Sequence, residues 1–179
     1  TQSDFRKVAL SVALLTRNAT TTSGMLVENK IAVITGGASG IGEATAKTYG
    51  EHGASVVVAD IDEEGAKKTV NDIVVDGGEA TFVRTDVTEE KNVKRMIDVT
   101  VEEYGGLDVL FNNAGTEGAL ANFAEHEAED FDHIVDVNLR GTFYGMKYGI
   151  QAMLADGGGS IISTSSVASA TGIIGRAGY

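Results

Sequence analysis

An α/β fold with a doubly wound parallel sheet is what this chain predicts, and three observations carry the prediction. Short apolar runs recur at 31–34, 55–59, 81–84, 107–111 and 160–164, and stretches of helical character fall between them at 41–52, 62–76, 89–104 and 126–155. The runs are continuously apolar rather than alternating, as expected of strands covered on both faces. The first run breaks directly into T-G-G-A-S-G-I-G, Thr35 to Gly42, a strand-to-helix turn rich in glycine. Strand and helix in strict alternation, joined by right-handed crossovers, wind a sheet in both directions from its middle. No internal linker divides 25–179, so one domain is expected there.

The elements follow in order. Ile31 to Ile34 is the first strand, and its glycine turn has a physical use at each glycine. Gly36 permits the tight turn, Gly40 lets a backbone approach a pyrophosphate, and Gly42 lets the next helix pack close to the strand. The free N–H groups and positive dipole end of that helix then face the phosphates. Ser39 and Ile41 flank Gly40 in the same cradle, with the Ile41 N–H available to a phosphate oxygen. The second strand, Ser55 to Ala59, ends at Asp60, 18 residues beyond Gly42. Alone, Asp60 reads as an N-cap for the helix at 62–76. After the glycine turn it reads as the carboxylate that accepts from both hydroxyls of an adenosine ribose and repels a 2′-phosphate. NAD is therefore favoured over NADP, and the neighbouring Ala38, Ser39 and Ile61 offer no competing cation. Gly77-Gly78 and Gly105-Gly106 close helices ahead of the third and fourth strands.

Further motifs stand at the ends of the later strands. Asp86-Val87 follows the third strand, and Asn112-Asn113-Ala114-Gly115 follows the fourth. Val137-Asn138-Leu139 with Gly141-Thr142 lies in the last long helix. Ser165-Ser166 follows the fifth strand, and Tyr179 is the last residue. In this order and spacing, roughly Leu26 to Tyr179 resembles the short-chain dehydrogenase/reductase family, whose fold is the Rossmann fold. The resemblance implies hydride transfer between NAD(H) and a secondary alcohol or ketone. It makes Tyr179 the general acid/base, Ser166, 13 residues earlier, the partner of the substrate oxygen, and Asn138 the anchor of a water in the proton relay. A tyrosine ordinarily ionises near pH 10, so the role needs positive charge nearby. In the family a lysine four residues later and the oxidised nicotinamide provide it.

By the same resemblance, Asp86 accepts from the adenine amino group with the Val87 backbone alongside. Asn112, Ala114 and Gly115 contact the cofactor where the strand order reverses, and Asn113 serves the central sheet. The family pattern runs on past its tyrosine, so the sheet is expected to be incomplete at the C-terminus. A chain ending at Tyr179 is expected to be catalytically weakened. Two other readings stay open. One is an NADPH-dependent 3-oxoacyl reductase, which Asp60 disfavours. The other is an inactive NAD-binding module.

Composition narrows the field. The chain has 179 residues, is 42% hydrophobic, and so can bury an ordinary core. It has no cysteine, which excludes disulfides and thiolate metal sites, and no proline, for which we have no account. His52, His126 and His133 sit among polar residues and read as surface groups, so no metal is expected. The net charge is −12, with +2 contributed by residues 1–24 and −14 by the remainder. Such acidity without a basic patch argues against nucleic acid or an anionic membrane as partner. Residues 1–24 form a leader without a periodic apolar face, expected to be disordered and outside the core. Its apolar run from Val8 to Leu15 is too short to span a bilayer, and Met25 is a plausible start. A cytoplasmic enzyme, dimeric or tetrameric with copies of itself, is what the resemblance implies.

Overall fold

The computed structural model describes residues 26–176 and 178–179, so the predicted leader at 1–24 lies outside the described residues. In order come β1 (Ile31–Thr35), α1 (Gly40–Glu51), β2 (Ser55–Asp60), α2 (Glu63–Val75), β3 (Glu79–Arg84), α3 (Glu90–Tyr104) and β4 (Val109–Asn112). A short 3-10 turn, Phe123–Glu125, leads to α4 (Ala128–Ile134), a π-helical segment (Val135–Arg140), α5 (Gly141–Ala155) and β5 (Ser160–Ser163). The strands lie in the order β3-β2-β1-β4-β5, and every neighbouring pair is parallel. The doubly wound parallel sheet of the sequence reading is the fold of the molecule.

Alternation along the strands divides the core. Ile34, Val56, Val58 and Phe111 face α1 and α2, meeting Ala46, Tyr49, Ala66 and Ile73. Val33, Val57 and Leu110 face the other way, meeting Val93, Met96 and Ile97 of α3 and Met153 of α5. Val33, Ile34, Val56, Val57 and Val58 are fully shielded from water. Each such side chain is worth about 1.5–3 kcal/mol of burial, and this is why these runs carry no polar residue. The stripe Gly141, Gly145 and Gly149 seats α5 against the sheet. A Cβ on these residues would meet Val87, Asn112 and Leu110 respectively, at 2.1–2.9 Å.

Boundaries have local causes. Asp62 caps α2, accepting from the Gly65 N–H at 3.2 Å. Gly105 ends α3 in the left-handed region at φ 90°, where glycine carries no Cβ penalty. One predicted element differs: the helix expected over 126–155 is instead α4, the π segment and α5 in succession. The extra residue held in a π turn falls around Asn138, whose side chain has a fixed partner outside the helix. Such insertions are frequent at functional sites. No described helix is long and apolar enough to cross a membrane.

Candidate active site

The order reverses between β1, which pairs with β2 on one side, and β4 on the other. At this switch point the carboxyl ends of the strands open into a cleft of about 730 Å³. Ligands of doubly wound sheets bind at such a place because the loops on either side diverge.

The glycine turn forms its floor. Gly36, Ser39, Gly40 and Ile41 all line the cleft. Gly36 has φ 68°, and a Cβ there would stand 3.0 Å from the Ala114 backbone. Gly40 has φ 56°, and a Cβ there would meet no atom within 4 Å, so the space above it is open. Gly42 does not line the cleft. It is the packing glycine, since its Cβ would fall 2.0 Å from the Gly36 carbonyl oxygen. Ser39 stands at the N-cap of α1 but makes no side-chain cap bond, so the first N–H groups of that helix are not capped by its hydroxyl.

Asp60 and Ile61 line the next wall. The Asp60 carboxylate is held on both oxygens: Oδ2 accepts from the Ala38 N–H and Oδ1 from the Asp62 N–H, each at 2.9 Å. The alternative reading of Asp60 as a helix cap is not what the structure has, because Asp62 caps α2. Asp86 and Val87 follow on the third wall. Asp86 Oδ1 accepts from the Thr88 N–H at 3.0 Å and from the Thr88 hydroxyl at 2.7 Å, closing an Asx turn that fixes the carboxylate.

The residues of the loop after β4 divide between cleft and core. Ala114 and Gly115 line the cleft, but Asn112 does not. Asn112 is buried, its Oδ1 lies 2.1 Å from where a Gly145 Cβ would be, and its Nδ2 has no partner among the described residues. Its neighbour Asn113 lines the cleft instead. Asn113 Nδ2 donates to the Thr35 carbonyl at 3.1 Å, and its Oδ1 accepts from the Thr164 hydroxyl at 3.1 Å, so one side chain joins β1, β4 and the end of β5. Thr35 was not anticipated as a site residue. Its buried hydroxyl accepts from the Asn113 and Ala114 N–H groups at 2.9 and 3.0 Å and sets the loop's start.

Of the three residues given catalytic roles, Tyr179 lines the cleft, together with Thr116, Glu117, His133, Val137 and Thr164. Asn138 and Ser166 are not among its lining residues. The Asn138 amide grips the Thr116 backbone, Oδ1 accepting from its N–H at 2.8 Å and Nδ2 donating to its carbonyl at 2.9 Å. Ser166 Oγ accepts from the Ala168 N–H at 3.1 Å, at the start of a 3-10 turn, and keeps its own proton to donate. The histidines expected on the surface diverge. His133 borders the cleft, while the His126 side chain is only 9% exposed, 3.3 Å from Asp130. Among the described residues no cluster of three or more ligating side chains is placed to hold a metal.

The donor set suits a dinucleotide. Open backbone over Gly40, the N-terminus of α1 and a preset carboxylate at Asp60 match pyrophosphate and ribose in turn. No lysine or arginine is among the described lining residues.

Comparison with known proteins gives the family. The sequence profile of the short chain dehydrogenase family matches residues 30–179. Cyclohexanol dehydrogenase of Acinetobacter sp. (strain SE19) is 42% identical over 151 residues, which is 84% of this chain and 60% of that protein. The mitochondrial borneol dehydrogenase of Lavandula x intermedia is 44% identical over 145 residues, 80% of this chain and 54% of that protein. The crystal structure of an NAD+-bound xylitol dehydrogenase superposes with a TM-score of 0.83 at 32% identity, covering 86% of this chain and 59% of that one. The chain thus spans a little over half the length of the relatives it matches.

Proposed function

Because the chain belongs to the short-chain dehydrogenase family, we propose that its cleft binds NAD and that the protein interconverts a secondary alcohol and a ketone. The observation that carries the cofactor choice is Asp60. Its carboxylate is already oriented by the Ala38 and Asp62 N–H groups and lines the same cleft as Gly40, which supports its meeting a ribose diol. A 2′-phosphate there meets a like charge with no cation beside it, and juxtaposed like charges cost several kcal/mol.

When bound, NAD supplies the hydride acceptor. The chain's own residues do the rest. The α1 N-terminus and the turn at Gly36–Gly40 hold the phosphates. The Asp86 and Val87 loop flanks the adenine. Thr35 and Asn113 fix the backbone of Ala114 and Gly115 along the middle of the cleft. Tyr179 takes the proton of the alcohol O–H as the C–H electron pair departs, and returns a proton in the reverse direction. Ser166 donates to the same oxygen, and Asn138 holds the loop that closes this end through Thr116. The relatives named for alicyclic and polyol dehydrogenation support a small alcohol as substrate. The exposed apolar stripe Phe143, Met146, Ile150 and Leu154 on α5 supports a homodimer or homotetramer.

The test is NAD reduction by a panel of secondary alcohols, using the chain continued to the length of its relatives, beside Tyr179→Phe. Loss of the general base lowers kcat by about 10²–10⁴-fold while NAD binding stays unchanged. Equal turnover by Tyr179→Phe would remove Tyr179 from the role.

A further inference from the structure

One arginine ties together the two loops that wall the tyrosine end of the cleft. The Arg176 side chain is only 22% exposed. Its guanidinium donates to the Gly118 carbonyl and stands 3.2 Å from a carboxylate oxygen of Glu117. The backbones of the same two segments also meet, the Ala121 N–H donating to the Gly175 carbonyl at 3.1 Å. At its own carbonyl, Arg176 accepts from the Tyr179 N–H at 3.2 Å. The arginine therefore grips the loop after β4 with its side chain and the tyrosine with its backbone.

The loop it grips is anchored from the opposite side. Asn138 holds Thr116 by two bonds, and the Asp130 carboxylate accepts from the Ala119 N–H at 3.0 Å. A continuous series of hydrogen bonds thus runs from the π segment through 116–119 to Arg176 and on to Tyr179. A planar guanidinium serves a carbonyl and a carboxylate at once because its N–H groups diverge in a fixed fork. A lysine ammonium is a point charge that satisfies them less selectively.

We propose that Arg176 is a positioning residue for Tyr179: it latches the segment after β5 to the loop after β4 and so fixes where the phenol stands in the cleft. It touches neither substrate nor cofactor. The catalytic half of this statement rests on the dehydrogenase reading above; the latch itself does not.

The experiment has two arms. The first is hydrogen–deuterium exchange on the chain itself, comparing the parent with Arg176→Met, Arg176→Lys and Glu117→Gln. Arg176→Met is expected to raise exchange in both 116–121 and 173–179 while β1 to β4 keep their protection. Arg176→Lys and Glu117→Gln fall between it and the parent. Unchanged exchange at 116–121, or a rise spread evenly over the sheet, would overturn the latch. The second arm is steady-state kinetics of the same variants in the chain continued to the relatives' length. Misplacing a catalytic group by about an ångström costs up to about 10²-fold, so Arg176→Met lowers kcat markedly with the KM for NAD unchanged, and Arg176→Lys recovers part of it. A raised KM for NAD with kcat intact would overturn the positioning role. Absence of turnover in the parent would instead count against the dehydrogenase reading, and the exchange arm would still decide the latch.

Discussion

At the scale of single residues, the glycines of the turn do separate jobs that single substitutions can pull apart. An alanine at 42 puts its Cβ 2.0 Å from the Gly36 carbonyl oxygen and 2.7 Å from the carbonyl carbon. Backbone must move, so Gly42→Ala is expected to lose about 1–3 kcal/mol of stability and, with the turn opened, its affinity for NADH. An alanine at 40 meets nothing within 4 Å, but it adopts φ 56°, a strain of about 1–2 kcal/mol, and its methyl group would occupy the space proposed for the pyrophosphate. Gly40→Ala is therefore expected to fold and to bind NADH poorly. Thermal melts with a fluorescence titration of both variants check this. An unchanged melting temperature for Gly42→Ala would contradict the packing role. The positive φ of Gly36 and Gly40 and the close packing at Gly42 were legible in the sequence because each follows from backbone geometry. The burial of Asn112 was legible too, had strand parity been applied. Leu110 faces α3 and α5 while Val109 and Phe111 face α1 and α2, so Asn112 shares Leu110's face. Thr35 and Arg176 carry no such signal, since their partners lie 78 and 58 residues away in sequence.

At the scale of elements, the helices are held to each other as well as to the sheet. Lys47 on α1 pairs with Glu43 one turn back and with Asp72 on α2, both at 2.7 Å. Hydrogen bonds from Lys47 and then Lys68 hold the Asp72 carboxyl below its ordinary value of 3.8. A carboxyl whose folded pKa is depressed stabilises the fold above its unfolded pKa and loses that contribution as pH falls through the folded one. Lys47→Met is thus expected to lower the melting temperature at pH 7, and the gap to the parent is expected to close as the pH is taken below about 3.8, the ordinary value. A gap of the same size at both ends would mean that the lysine acts through packing and not through charge. Element type was readable from apolar periodicity, and strand ends moved by no more than two residues. The division of 126–155 was not readable. A π turn displaces the pattern by one residue, and the fixed partner that stabilises it, the Thr116 backbone, lies 22 residues away.

At the scale of the whole molecule, the parallel sheet matters because it reverses order between β1 and β4. That reversal gathers the ends of four strands, each with its own short motif, around one cleft. Eleven of the fifteen residues picked out from sequence line it, and Gly42, Asn112, Asn138 and Ser166 do not. Their spacing along the chain made the gathering predictable, since the motifs that line the cleft, Tyr179 apart, stand at the carboxyl ends of strands. The far wall at Thr116, Glu117 and His133 was missed, because the loop there is held by side chains distant in sequence, Asn138, Asp130 and Arg176, that no local pattern announces. The central claim is that this cleft takes NAD and rejects its 2′-phosphorylated form through Asp60. Fluorescence titration of the chain with NADH and with NADPH, repeated for Asp60→Ala, tests it most directly. NADH is expected to bind at least about tenfold tighter, a difference of about 1.4 kcal/mol, and Asp60→Ala is expected to narrow the gap from both sides. NADPH binding as tightly as NADH to the unaltered chain would contradict the account.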